Sequence, residues 1–161
     1  MRAVISDTSP IRALLLLGEI GVLPRIFGEV LVPHSVLEEL RHPKAPSIVR
    51  LWALQPPDWV IEASPNHLLL GLDLDRGETE AVSLAVEHHD SLLIIDEVKG
   101  RQVAASHGIL ITGTVGILEQ AACEGLIDFE EAAQKLRATN FRISKTLLES
   151  AAERVRRRRS Q

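Results

Sequence analysis

The sequence predicts one α/β domain, a three-layer α/β/α sandwich around a central parallel sheet. Three observations predict it. Short apolar runs alternate with longer stretches of helical period, the pattern of parallel strands joined by crossover helices. Residues 3–5, 92–95 and 109–111 are continuous apolar runs rather than alternating ones, as expected of strands buried on both faces. The length, 161 residues, suits a single domain with a substantial core.

The elements follow in order. Ala3, Val4 and Ile5 make a first strand that stops at Ser6-Asp7-Thr8-Ser9-Pro10. Thr8 or Ser9 is expected to cap the next helix, with Pro10 at its first position. Ile11, Leu14, Leu15 and Leu17 form its apolar face, and Gly18 ends it. Residues 19–27 read as a second short helix, weakened by Gly21 and Pro24. Val30, Leu31 and Val32 form a strand stopped by Pro33. Residues 34–40 and 47–54 are helical, separated by Pro43 and Pro46, and residues 59–61 form another strand after Pro56-Pro57. Asp75-Arg76-Gly77-Glu78 opens a helix that reaches about residue 89. The strand at 92–95 leads to a helix over 98–107, with Gly108 as its C-cap. After the strand at 109–111, helices over 115–124, 130–136 and 144–159 close the chain. The expected organisation is a domain over residues 1–143, with an Arg-ended helix over 144–161 packed on it or extending from it.

Composition excludes several classes. One Cys excludes a disulfide framework and a multi-Cys zinc site. The longest apolar run, residues 13–17, is far short of a membrane-spanning helix. Ser6 and Asp7 break the first apolar run, so no secretory signal is expected and the location expected is cytoplasmic. No Gly-rich Lys loop supports a nucleotide hydrolase. The net charge of −4 at first disfavours nucleic acid. It is unevenly spread, however. Arg154, Arg156, Arg157, Arg158 and Arg159 crowd the last eight residues, leaving residues 1–153 at −9.

The polar strand ends explain where that acidity goes. The first, fourth and fifth strands run into Asp7-Thr8-Ser9, Asp96-Glu97 and Thr112-Gly113-Thr114. An open parallel sheet binds ligands at its carboxyl edge, near a switch point. In the helix over 34–40, Val36, Leu37 and Leu40 form the apolar face. Glu38 points away from that face, whereas Glu39 borders it. Glu78 and Glu80 lie in a first helical turn, where the dipole favours negative charge. Each residue has an ordinary reading as a cap, a turn or a solvated face. Asp7, Glu39, Glu80 and Asp96 around one edge suggest more. Burying such carboxylates unpaired is expensive, and a hard cation such as Mg²⁺ or Mn²⁺ relieves the cost. Other conspicuous residues read as structural. Cys123, Trp52 and Trp59 suit packing, His88-His89 suits a helix end, and His34 a surface helix start.

The motifs Ile5-Ser6-Asp7-Thr8-Ser9-Pro10, Val32-Pro33-His34-Ser35-Val36-Leu37-Glu38-Glu39-Leu40, Asp75-Arg76-Gly77-Glu78-Thr79-Glu80-Ala81, Ile94-Ile95-Asp96-Glu97 and Thr112-Gly113-Thr114-Val115-Gly116 occur in an order that resembles the PIN-domain proteins. The similarity is greatest to a prokaryotic subgroup, DUF3368, and covers roughly residues 3–130. The resemblance implies a Rossmann-like sandwich and metal-dependent RNA cleavage. It implies one or two Mg²⁺ or Mn²⁺ ions on Asp7, Glu39, Glu80 and Asp96 as the catalytic set, with Glu78 a rival to Glu80. Thr8, Ser9, Glu97, Thr112 and Thr114 would support them. It further implies an RNA substrate, an antitoxin protein if the chain is a toxin, and a homodimer. The arginines at 154 and 156–159 would contact RNA phosphates, dock an acidic partner, or form a solvated tail. The competing functional class is a catalytically degenerate PIN fold that binds nucleic acid or protein without turnover.

Overall fold

The computed structural model describes residues 2–161. In chain order the elements are β1 (Ala3–Ser6), α1 (Thr8–Leu17), α2 (Val22–Phe27), β2 (Val30–Pro33), α3 (His34–Leu40), α4 (Ser47–Leu54) and β3 (Val60–Ala63). Then come α5 (Arg76–Glu87), β4 (Ser91–Ile94), α6 (Val98–Ser106), β5 (Leu110–Thr112), α7 (Thr114–Cys123), α8 (Phe129–Arg137) and α9 (Lys145–Arg159). The five strands form one sheet in the order β3-β2-β1-β4-β5, with every pairing parallel. The chain steps outward from β1 to β2 and β3, then crosses back to β4 on the other side of β1. The gap between β1 and β4 is therefore the switch point of the sheet. Val4 pairs with Leu92 and Ser6 with Ile94 across it.

Two apolar clusters fill the space on either side of the sheet. The larger gathers Leu14, Leu23, Val32, Leu37, Ile94, Leu118 and Leu136. The smaller gathers Ile5, Val82, Leu93, Ile95 and Ala104. Residues paired across the sheet face the same cluster, Val4 with Leu92 the larger and Ile5 with Leu93 the smaller, and successive residues along each strand alternate between the two. Leu148, Ala151, Ala152 and Val155 of α9 are buried in the larger cluster with α7 and α8. Trp52 and Trp59 pack against the same cluster, their rings 6.0 Å apart.

Two local expectations need correction. Residues 109–111 were expected to be a doubly buried strand, yet β5 is the sheet edge and Leu110 is 52% exposed. β2 takes the interior position instead, with Val30 and Val32 fully buried. Both are short apolar runs; only strand order distinguishes them. The cap of α1 also shifts by one residue. Asp7, not Thr8 or Ser9, is the N-cap, and its side chain makes no capping bond. Its backbone stays extended and donates to the Ile94 carbonyl at 2.9 Å, continuing the ladder one residue past β1. Pro10 consequently sits in the first turn rather than at its start, where its missing N–H still leaves no bond unmade.

Candidate active site at the switch point

Asp7 and Asp96 follow β1 and β4, the two strands that flank the switch point. Asp7 is 3% exposed, and its Oδ1 has no hydrogen-bond partner. Burial pushes its carboxyl up to about 7, against a weaker pull from the Thr8 backbone N–H, and the negative charges of Glu78, Asp75 and Glu39 push it further. A buried acceptor without a donor, facing three other carboxylates, is a costly arrangement for a side chain with no chemical task.

The neighbours are held by separate donors. The Thr8 hydroxyl donates to Glu39 Oε2 at 2.8 Å, tying the start of α1 to α3. The Glu78 backbone N–H donates to Asp75 Oδ1 at 2.8 Å, and the Asp75 N–H donates to Glu78 Oε1 at 3.0 Å. This capping box fixes both carboxylates at the N-terminus of α5. Burial raises the pKa of Glu78, and repulsion from Asp75, Glu97 and Glu39 adds to it. Gly77 packs against α3 at ordinary van der Waals distance. A Cβ there would stand 3.4 Å from Val36 and 3.5 Å from Glu39 Oε2.

Asp96 is anchored on the other side of the switch point. Its Oδ1 accepts from the Thr114 N–H at 2.8 Å. Its Oδ2 accepts from the Thr114 hydroxyl at 2.7 Å and from Ser9 at 3.2 Å. Ser9 thus bridges the β1 end to Asp96. Glu97 caps α6 by accepting from Gly100 N–H at 2.6 Å, and Thr112 lines a groove beside Asp96.

Glu80 does not join this cluster. Its carboxylate accepts from the Ser35 hydroxyl and backbone N–H, and from Arg76 at 3.1 Å. Burial would raise its pKa, but these three donors and the Arg76 charge outweigh burial and hold it below the usual range. The reason is helical geometry: residues two apart on a helix diverge by about 200°. Glu78 takes the face toward Asp7, and Glu80 clamps α5 to α3. Glu38, the exposed alternative to Glu39, pairs with His34 at 2.7 Å.

The arginine-rich end lies elsewhere. Arg154 grips Glu119 of α7 with two bonds of 2.7 and 3.0 Å. Arg156 pairs with Glu130 and Glu153, and Arg157 with Glu153. Arg158 reaches the sulfur of the half-buried Cys123. Pairing 154 with 119 and 158 with 123 means that α9 runs alongside α7 in the same direction. Since α7 starts at Thr114 on Asp96, its Cys123 end is about 13 Å further along its axis. Arg156, Arg157, Arg158 and Arg159 are therefore carried away from the carboxylates, and three of the five tail arginines are already ion-paired.

Two residues of the site escaped sequence reasoning. Asp75 carried a signal, the Asp-x-x-Glu spacing of a capping box. Arg101 carried none. Its Nη1 donates to the Ile95 carbonyl at 2.8 Å. A Cβ on Gly113 would meet Asp96 Oδ1 at 2.6 Å and Arg101 Nη1 at 3.0 Å, so both groups lean on that glycine.

Asp7, Glu39, Glu78 and Asp96 offer only oxygen donors, and the orphaned Asp7 Oδ1 is suited to a hard divalent cation. No three His, Cys, Asp or Glu side chains among the described residues are drawn tightly around one point. Glu39, Glu78 and Asp96 are each held by a nearby donor, and Asp7 Oδ1 has none. No helix among the described residues is long and apolar enough to cross a membrane.

A family model described as a PIN domain, DUF3368, matches residues 3–157. No curated protein and no solved structure matches the chain. The matched span runs from β1 into the last turns of α9 and takes in every carboxylate of the switch point, so the chain belongs to the PIN-domain family (DUF3368), a family of nuclease type.

Proposed function

We propose that the protein is a divalent-metal-dependent endoribonuclease whose working carboxylates are Asp7, Glu39, Glu78 and Asp96. The single observation that carries this reading is Asp7: a buried carboxyl with an unpartnered oxygen, at the switch point, facing acidic neighbours. Asp7, Glu39 and Glu78 would hold the cation, with Asp96 beside them. A hard cation bound there supplies Lewis-acid charge to a phosphodiester and offsets the repulsion among the carboxylates.

The chain's own residues supply the rest. Burial keeps the Asp7 carboxyl partly protonated near neutral pH, so binding a cation there must displace a proton. Thr8 and Ser9 hold Glu39 and Asp96 from the first turn of α1. The Thr114 N–H and hydroxyl fix both oxygens of Asp96. No histidine among the described residues touches these four carboxylates, so proton transfer falls to carboxylates and water. The test is cleavage of single-stranded RNA with Mg²⁺ or Mn²⁺ by the wild type and Asp7→Asn. The reading expects metal-dependent cleavage that Asp7→Asn abolishes. An inactive wild type, or an equally active variant, would sink it.

A further inference from the structure

A groove of about 530 Å³ opens directly from Asp96, within the size range of pockets that hold organic ligands. Its walls come from the start of α6, from α7 and from the segment that leads into α9. Half-buried Arg101 and exposed Arg142 both line it, together with Phe141, Val115 and Leu147. Arg101 spends one of its five N–H groups on the Ile95 carbonyl. Neither Arg101 nor Arg142 is ion-paired among the described residues. Arg154, also in the wall, is neutralised by Glu119. In a chain of net −4, two free guanidinium groups on one groove beside Asp96 are a local reversal of sign.

We propose that this groove carries the single-stranded RNA that flanks the scissile phosphate. Arg101 grips the phosphate beside Asp96, and Arg142 grips one further out. Leu147 is 60% exposed and Phe141 half-buried, which gives unpaired bases an apolar surface to lie on. A duplex keeps its base faces stacked and cannot use that surface, so the groove selects single strands. Arg101 acts as a positioning residue through phosphate contact, and Gly113 lets it approach Asp96.

This inference rests on the nuclease reading for its substrate, so the test separates the two. Binding of a fluorescent single-stranded RNA is measured in EDTA, where no turnover occurs, over a range of salt. The variants are Arg101→Lys, Arg101→Gln and Arg142→Gln, with melting temperature as a fold control. Arg142 makes no intramolecular hydrogen bond among the described residues, so its variant should fold normally. Each Gln variant is expected to bind several-fold more weakly and to lower the log–log salt slope by about 0.7, one phosphate's worth on a single strand. Arg101→Lys should keep most of the slope. Duplex RNA should bind more weakly than single-stranded RNA. Unchanged affinity and slope in folded Arg142→Gln and Arg101→Gln would overturn the proposal, as would tighter binding of an acidic peptide than of RNA. A wild type that cleaves RNA while the variants bind normally defeats the groove alone. A wild type that binds with the expected arginine dependence but never cleaves supports the groove and defeats the nuclease reading.

Discussion

Glu78 and Glu80 stand two residues apart on α5, and their carboxylates serve different parts of the protein. Glu78 faces Asp7 and is fixed by its reciprocal bonds with Asp75. Glu80 is taken up by Ser35 and Arg76 between α3 and α5. The pair turns one stretch of acidic sequence into a site residue and a structural clamp.

Glu78→Gln should therefore lower kcat by 100-fold or more, about 3 kcal/mol of barrier, while leaving the melting temperature nearly unchanged. Glu80→Gln should do the reverse. It removes a charge-assisted partner from Ser35 and Arg76 and costs on the order of 1–3 kcal/mol of stability, with a smaller effect on kcat. Steady-state cleavage and urea denaturation of both variants distinguish the roles. Equal losses of activity with equal losses of stability would contradict the division.

Asp7 should make metal-free stability depend on pH. Its carboxyl rises from 3.8 to about 7 on folding, so the folded chain binds more protons than the unfolded chain between those values. Stability should then be fully present below about pH 4, fall as pH rises toward 7, and level off above it. Glu78, also raised, acts in the same direction. Asp7→Asn should flatten the profile and stabilise the metal-free protein at pH 8, on the order of 2–4 kcal/mol. Chemical denaturation in EDTA at several pH values measures this, and a wild-type profile that rises from pH 4 to 7 would refute it.

Divalent metal should reverse that instability. At 100-fold excess over its dissociation constant, a cation that binds only the folded chain adds about 2.7 kcal/mol, which corresponds to a rise of roughly 5–10 °C for a chain of this size. The gain should grow from pH 6 to pH 8, because binding at Asp7 releases a proton. Thermal melts with Mg²⁺ and Mn²⁺ in wild type and Asp7→Asn report it. A shift that survives in Asp7→Asn would place the cation elsewhere.

Gly113→Ala should damage the site despite adding one methyl group. The new Cβ would lie 2.6 Å from Asp96 Oδ1 and 3.0 Å from Arg101 Nη1, so one or both must move. The overpacking costs about 1–3 kcal/mol, and kcat should fall by 10-fold or more as Asp96 leaves Thr114. Gly125→Ala, with no atom near its Cβ but a φ of +75°, should lose stability without that loss of kcat. Similar kcat for the two variants would rule out the proposed role of Gly113.

The end of α9 should be dispensable for cleaving short RNA. Arg158→Gln with Arg159→Gln removes two charges carried along α9 away from Asp96, and kcat/KM on a short single strand should change less than two-fold. Arg154→Ala, by contrast, should loosen α9 by about 0.5–1 kcal/mol, because it breaks an exposed two-bond pair with Glu119. A ten-fold drop in kcat/KM for the double variant would restore a substrate role to the tail.

The order of elements and the parallel sheet were legible in the sequence because they rest on local signals. Apolar runs such as Leu92-Leu93-Ile94-Ile95, the Asp75-x-x-Glu78 box and polar strand ends are written within a few residues of one another. The same signals put Asp7 and Asp96 at one sheet edge. Tertiary structure decided the rest. Strand order made β2 interior and β5 an edge, although both are short apolar runs. The packing of α5 on α3 selected Glu78 over Glu80 for the face toward Asp7. The shared direction of α7 and α9 took the terminal arginines away from the carboxylates and brought Arg142 toward them. Each of these depends on how elements distant in sequence pack together, and hydrophobic periodicity within an element carries no record of which partner it will meet.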